Sequence, residues 1–315
     1  MTSCRNETID VLKGILILTV ILGHALLGSL DDNVFRYIIY SFHMPLFIFI
    51  SGYLINMRKI ITLSGKGVLK KYWSRMLREW MIALLVYTSL LCVTQSVSLK
   101  QLILYILMPY YHLWYVPVLF LMILSAWIIE RKIIDKTQRL LFFLVLSFFL
   151  IGIYNVGYSV FAEYRLHYFF FFYLGVVCKN INYPHCCRVS YLGGAFLLFL
   201  CIVLIFKLFG LDYSDYRIYF LLPLNIALCV WVIVPLIGNN SLSSDTLQYL
   251  GKESLHIYLW HVLIIFVLKR LPISHLAYYG LVLGILFVFL IIIKIKISYE
   301  NNKTVSDCRI GRKFL

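Results

Sequence analysis

Long apolar runs, separated by short polar segments, dominate this chain of 315 residues. The runs do not alternate strictly, and most reach the roughly 20 residues that a helix needs to cross a hydrocarbon core. The pattern predicts an all-α polytopic fold of about ten transmembrane helices, at 9–30, 37–56, 79–95, 114–130, 139–156, 166–179, 189–209, 217–237, 254–270 and 276–293. We expect the polar-edged segment 97–113 to be a surface or re-entrant helix.

Composition agrees with a membrane protein: 62% of the residues are hydrophobic and 14% are charged, where soluble domains carry about 25% charged residues. Ten spans leave no room for a soluble domain, so we expect one membrane domain over 1–315 with a short polar tail at 294–315. Asp10 and Lys13 interrupt the first apolar run, and no small-residue cleavage site follows it. The sequence therefore predicts no cleavable signal peptide.

The net charge of +15 raises the question of a nucleic-acid partner. If the N-terminus is cytoplasmic and the spans alternate, however, most of the cations fall on the inner side, in the connections 57–78 and 131–139 and in the tail. This positive-inside bias predicts that both termini are cytoplasmic, and it accounts for the charge without nucleic acid.

The cysteines lie on the predicted inner side or within spans, so we expect no disulfide bonds. His185, Cys186 and Cys187 are adjacent but have no Cys-x-x-Cys spacing beside them. Neighbouring cysteines are poorly placed to chelate one ion, so the sequence predicts no metal site.

Charged residues in the first span are the strongest pointer to chemistry. Asp10, Lys13 and His24 stand in a segment where unpaired charge costs several kcal/mol. Lys13 and His24 are eleven residues apart, almost three helical turns, so they share a face about 16 Å apart along the axis. A cation near one membrane surface and an imidazole deeper in the span together indicate a reaction inside the bilayer.

His43 in the second span would lie at a depth similar to that of His24 on the predicted topology. Helices joined by a short loop are usually neighbours, so the two imidazoles could face one cavity. Alternatively, His43 forms a hydrogen bond to a neighbouring helix.

Arg75 and Arg78 are three residues apart at the cytoplasmic end of the third span. On an α-helix they would be neighbours on one face, and two guanidinium groups suit a phosphate ligand. The alternative is contact with lipid headgroups or a role in topology.

Aromatic and imidazole side chains supply further candidates. Trp114 begins the fourth span, where its ring either belongs to the interfacial belt or stacks on a sugar. His261 stands about 10 Å inside the ninth span, beyond a simple interfacial position, and Tyr258 lies beside it on the same segment.

Five segments follow one another along the chain: RNETIDVLKGILILTVILGH, FHMPLFIFISGYL, SRMLRE, HLWYVPVLF and SLHIYLWH. Their order resembles that of the acyltransferase 3 family, whose members O-acylate cell-surface sugars. The chain resembles this family over most of its length, and the Asp-x-Leu-Lys-Gly segment resembles the branch of fucose 4-O-acetylases and other polysaccharide acetyltransferases. The first two segments are specific on their own, and the ordered set carries the resemblance.

The resemblance implies an O-acetyltransferase of the bacterial cytoplasmic membrane that uses acetyl-CoA as donor and no metal. Its expected partners are a sugar or polysaccharide acceptor and the surrounding membrane lipid. His24 matches the essential histidine of the family, while Arg75 and Arg78 match its Arg-x-x-Arg pair at the acyl-CoA end. Lys13 stands where many relatives have arginine, which leaves its ligand open. The catalytic candidates are thus His24, Lys13 and Asp10, and the cofactor-binding candidates Arg75, Arg78 and Lys13.

His43, Trp114, Tyr258 and His261 are the candidates for acceptor binding. In the expected reaction a neutral His24 takes the proton of a sugar hydroxyl as that oxygen attacks the thioester. An acyl-histidine relay across the membrane remains open. A transporter or flippase for a glycan or a lipid-linked sugar is the rival hypothesis, although no pair of broken hydrophobic segments marks two halves of the chain.

Overall fold

The computed structural model describes residues 6–94, 98, 100, 101, 103, 105, 112–155, 165–179, 189–210, 221–240 and 242–311. Every regular element in this part of the chain is helical. The elements are α1 (Glu7–Ala25), α2 (Val34–Leu54), α3 (Met57–Ile60), α4 (Gly65–Tyr72), a π-helix (Trp73–Leu77), α5 (Arg78–Thr94), α6 (Tyr115–Lys132), α7 (Lys136–Asn155), a 3₁₀ turn (Leu166–Tyr168), α8 (Phe169–Cys178), α9 (Val189–Leu208), α10 (Leu221–Leu228), a second π-helix (Cys229–Ile233), α11 (Val234–Asn239), α12 (Asp245–Lys252), α13 (Ser254–Leu268) and α14 (His275–Gly311).

Seven helical stretches in the described residues are long and apolar enough to cross a membrane. Helices α12 and α13 add an eighth if they form one span, bent by 82° between them. The all-helical membrane fold is therefore confirmed, whereas the predicted count of ten is not reproduced. The two remaining predicted spans correspond to α6, which ends in the charged residues Glu130, Arg131 and Lys132, and to α8, which has 10 residues.

The helix ends differ from the predicted ones at two places. Helix α1 ends at Ala25 rather than near residue 30. Helix α14 continues to Gly311, so most of the predicted tail at 294–315 is helical. Most of the segment 97–113, and the group His185, Cys186 and Cys187, lie outside the described residues.

One compact unit contains Met1–Leu27 and Asn240–Leu315. Its helix α1 packs closely along α12, because glycines bring the two backbones together. A Cβ atom on Gly251 would collide with the backbone oxygen of Asp10, and one on Gly14 would collide with that of Leu247. This contact holds the segment that carries Asp10 and Lys13.

The other end of α1 is tied to α14. Tyr278 donates a hydrogen bond of 2.7 Å from its hydroxyl to the carbonyl oxygen of Ala25. The backbone N–H of Leu27 donates to the hydroxyl of the adjacent Tyr279 at 3.0 Å. Around them is a hydrophobic cluster that also joins α13, comprising Ile21, Ala25, Ile265, Leu268, Tyr278 and Val282.

The second unit contains Gly28–Asn239. Helices α2 and α8 are in backbone contact, since a Cβ atom on Gly52 would meet the oxygen of Phe172 and one on Gly175 would meet that of Phe49. Small residues that permit such approach are typical of contacts between membrane helices. This contact fixes the helix that carries His43.

Candidate active site

His24 and His261 are in ring contact within the first unit. Their ring centroids lie 5.2 Å apart with the planes at 56°. His24 is half-buried in the last turn of α1, and His261 is buried on α13. The sequence predicts His24 well inside a span that runs to residue 30, but α1 ends at Ala25, so His24 lies at the helix terminus.

Backbone carbonyl groups fix the tautomer of His261. Its Nδ1 lies 2.7 Å from the oxygen of Tyr258 and 3.1 Å from that of Ile257. Carbonyl oxygens only accept hydrogen bonds, so Nδ1 carries the hydrogen of the neutral imidazole, and the buried Nε2 has the lone pair. The ring of Tyr258 lies 5.9 Å from that of His261, so Tyr258 contacts the residue that is in ring contact with His24.

Lys13 and Asp10 occupy the first half of α1. Because α1 is an uninterrupted α-helix, the rise from Lys13 to His24 is about 16 Å, as the sequence predicts. Asp10 is buried, and its backbone touches Gly251 of α12. The three catalytic candidates therefore lie on one rigid element of the first unit.

Arg75 and Arg78 lie in the second unit, where the local helix is not the one expected. Arg75 is inside the π-helix, and Arg78 begins α5. A turn of π-helix contains more residues than an α-turn, so residues three apart are rotated further from each other than on an α-helix. Both side chains are exposed, and Arg78 donates from Nη2 to Oε1 of Glu79 at 2.8 Å. Their joint binding of a phosphate stays a prediction.

His43 is buried on α2 in the second unit. Its Nδ1 lies 2.7 Å from the oxygen of Ile39, one turn earlier, so Nδ1 is again the nitrogen that carries the hydrogen. Tyr40 meets the imidazole edge-on at 4.8 Å. His43 and His24 belong to different units, and the shared cavity suggested by the sequence stays a prediction.

Trp114 is buried against aromatic and cationic neighbours of the second unit. Its ring is nearly parallel to that of Tyr168, with centroids 5.9 Å apart, and the guanidinium carbon of Arg165 lies 4.7 Å from its centroid. With 6% of Trp114 exposed, stacking on a sugar requires one of these neighbours to move away. Arg165, in a left-handed conformation at φ 46°, is a residue that the sequence analysis does not select.

A family model described as an acyltransferase domain, acyltransferase 3, matches residues 6–295, which is most of the chain. The chain belongs to the acyltransferase 3 family. The matched region includes all of the second unit, most of the first unit and every candidate site residue.

A curated relative of this acyltransferase is the nodulation protein NolL of Sinorhizobium fredii (strain NBRC 101917 / NGR234). The two are 46% identical over 59 residues, which is 16% of this chain and 16% of NolL. The acyltransferase thus covers about a sixth of the length of that relative. No solved structure matches the chain.

Asn225 is a structural residue of this acyltransferase that sequence reasoning misses. Helix α2 contains Pro45, which has no N–H for the carbonyl group of Ser41, one turn earlier. Asn225 on α10 donates from Nδ2 to that oxygen at 2.9 Å. An asparagine in an apolar run is the sequence signal, but its partner is 184 residues away.

Proposed function

We propose that this acyltransferase moves an acetyl group from acetyl-CoA to a hydroxyl group of a cell-surface polysaccharide or a lipid-linked sugar. The observation that carries the proposal is the contact between His24 and His261. His24 lies on the same helix as Lys13, and the chain belongs to the acyltransferase 3 family. The site of action is the bacterial cytoplasmic membrane, with both termini in the cytoplasm.

His24 is the general base in this proposal. Its unprotonated nitrogen takes the proton of the sugar hydroxyl while the oxygen attacks the thioester carbonyl carbon, and the C–S bond then breaks to release CoA. Histidine suits this role because its ordinary pKa lies near neutrality. A position at the end of α1 supports the proposal, since a helix terminus is more accessible to a substrate than a mid-helix residue.

Arg75 and Arg78 hold the phosphates of acetyl-CoA from the cytoplasmic side. Their exposure supports this role, because exposed guanidinium groups are available to an anionic ligand. Lys13 contributes a further cation, and Asp10 positions the first half of α1 through its place against α12. His43, Trp114 and Tyr258 contact the acceptor.

The test is acylation by variants of His24 in cells that lack the native gene, measured as acylated glycan by mass spectrometry. His24→Ala should reduce acyl transfer at least about a hundredfold, the lower bound for loss of a positioned general base. His24→Asn should fail equally, because an amide cannot take up the proton at neutral pH. Binding of acetyl-CoA should remain near that of the wild type.

The matched control is Leu22→Ala, at an exposed position of the same helix, which should acylate normally. Full acylation by His24→Ala would overturn the mechanism. A covalent acetyl group found on His24 after rapid quenching would instead indicate the relay, with His24 as nucleophile.

A further inference from the structure

The imidazole of His261 is held by the backbone of its own helix. Two carbonyl groups of its own helix fix Nδ1 as the donor, so Nε2 is kept as an acceptor. Nε2 is buried, on a ring in contact with that of His24. An imidazole with a fixed tautomer, beside the proposed base, is suited to orient that base through a hydrogen bond.

The surrounding packing holds the imidazoles of His24 and His261 next to each other. Ile21 and Ala25 lie three residues before and one after His24, while Ile265 lies one turn after His261, and all three belong to one buried cluster. Tyr278 ties the carbonyl group of Ala25 to the same cluster. The packing next to the two rings therefore fixes the distance between the helices α1 and α13 that carry them.

We infer that His261 is a positioning residue for His24. In the proposed reaction its Nε2 accepts a hydrogen bond from one ring nitrogen of His24, so the other nitrogen of His24 has the lone pair that takes the hydroxyl proton. When His24 has taken the proton, the same acceptor stabilises the imidazolium through a charge-assisted hydrogen bond. A base oriented by a third group is a general arrangement in acyl transfer.

This inference rests on the proposed function, because it assigns His24 as the base. The proton balance is unchanged by it: the proton of the hydroxyl moves to His24, the new C–O bond forms, the C–S bond breaks, and the CoA thiolate receives that proton from His24. His261 gains and loses no proton. The role differs from the acceptor binding that the sequence predicts for this residue.

Two substitutions distinguish positioning from a structural role. His261→Leu removes the acceptor but fills the space, whereas His261→Gln places an amide oxygen near the position of Nε2. We expect His261→Leu to lower the maximal rate about tenfold to a hundredfold, by analogy with the loss of a group that orients a metal-ligating histidine, without raising the KM for acetyl-CoA. His261→Gln should recover most of that rate.

The assay uses membrane vesicles from cells that lack the native gene and supply their own glycan acceptor, with release of the CoA thiol followed at increasing acetyl-CoA. His256→Leu is the matched control, since His256 is exposed on the same helix, and it should match the wild type. Equal loss of rate in His261→Leu and His261→Gln at full expression would overturn the inference, because a positioning acceptor is rescued by the amide.

The double variant His24→Ala/His261→Leu separates this inference from the proposed function. If His261 acts through His24, the double variant is no slower than His24→Ala alone. A further tenfold loss in the double variant would show an independent role and overturn the inference. An active His24→Ala protein would instead refute the proposed function itself.

Discussion

The side-chain amide of Asn225 donates to the carbonyl oxygen of Ser41, the oxygen that Pro45 leaves without its helical partner. Both Asn225 and Ser41 are buried, so this bond replaces a backbone bond where water is excluded. Asn225 of α10 thus supplies the hydrogen bond that Pro45 of α2 cannot donate.

Asn225→Leu should destabilise the protein by about 1–3 kcal/mol, because the oxygen of Ser41 then stays buried without its donor. In the Pro45→Ala background the restored N–H supplies a partner, so the same substitution should cost clearly less. Unfolding of the four proteins in mixed micelles measures the coupling. If the losses of stability in Asn225→Leu and Pro45→Ala simply added in the double variant, the N–H restored at position 45 would not replace the amide of Asn225, and the prediction would be wrong.

Glu79→Gln should tighten acetyl-CoA binding, by up to about fivefold for release of an exposed ion pair worth about 1 kcal/mol. Arg78 now donates to Glu79 from Nη2 at 2.8 Å and from Nε at 3.3 Å. Arg78→Ala should weaken binding. Calorimetry on the purified protein measures both, and Lys70→Ala, which removes an exposed cation from α4, should have a smaller effect. Equal weakening in Lys70→Ala would indicate a general charge effect.

Lys13→Ala should raise the KM for acetyl-CoA more than it lowers the maximal rate, because the residue is proposed to bind the donor and not to move a proton. Lys13→Arg keeps the cation and should stay close to the wild type. Ile15→Ala, at an exposed position of α1, controls for packing. A loss confined to the maximal rate would place Lys13 in the chemical step instead.

Gly251→Ala should destabilise the first unit by about 1–3 kcal/mol, the cost of overpacking, because its Cβ collides with the backbone of Asp10. Gly280→Ala on α14 is the matched control, since nothing lies within 4 Å of a Cβ there. Gly280→Ala should be neutral or stabilising by at most about 1 kcal/mol. Unfolding of both variants in micelles tests the difference, and equal stability would contradict the close contact of α1 with α12.

Cysteine labelling in intact cells tests the topology. In a background whose native cysteines are replaced, a cysteine at Lys66 should react only after the membrane is permeabilised, while one at Asp32 should react from outside. Labelling of position 66 from outside would reverse the orientation and remove the cytoplasmic access proposed for acetyl-CoA.

Apolar periodicity was sufficient for the centres of the helices but not for all of their ends. Leu26 and Leu27 are apolar, so hydropathy extends the first span beyond them. Helix α1 nevertheless ends at Ala25, where Tyr278 and Tyr279 bind the terminal backbone. These hydrogen bonds join residues more than 250 positions apart, so the composition around Ala25 does not reveal them.

The candidate site shows the same limit. Residue type alone selects His24 and His261 as unusual in apolar segments, but their contact depends on how α1 and α13 pack. For Arg75 and Arg78 the spacing is unambiguous, whereas the helix type is not: nothing in WSRML distinguishes a π-turn from an α-turn. Arg165 escapes selection because its significance comes from Trp114, 51 positions earlier in the sequence.

The π-helix at Trp73–Leu77 has a consequence for any comparison of chain lengths within this family. A π-turn holds one residue more than the α-turn it interrupts, so deleting a single residue there would restore an α-turn and leave the helix after it facing almost the same way. Ala83, Leu84 and Tyr87, now buried, would stay on the buried face, while the direction of Arg75 relative to Arg78 would change. A relative without the extra residue can therefore keep the apolar face of its third span and still present its two arginines differently.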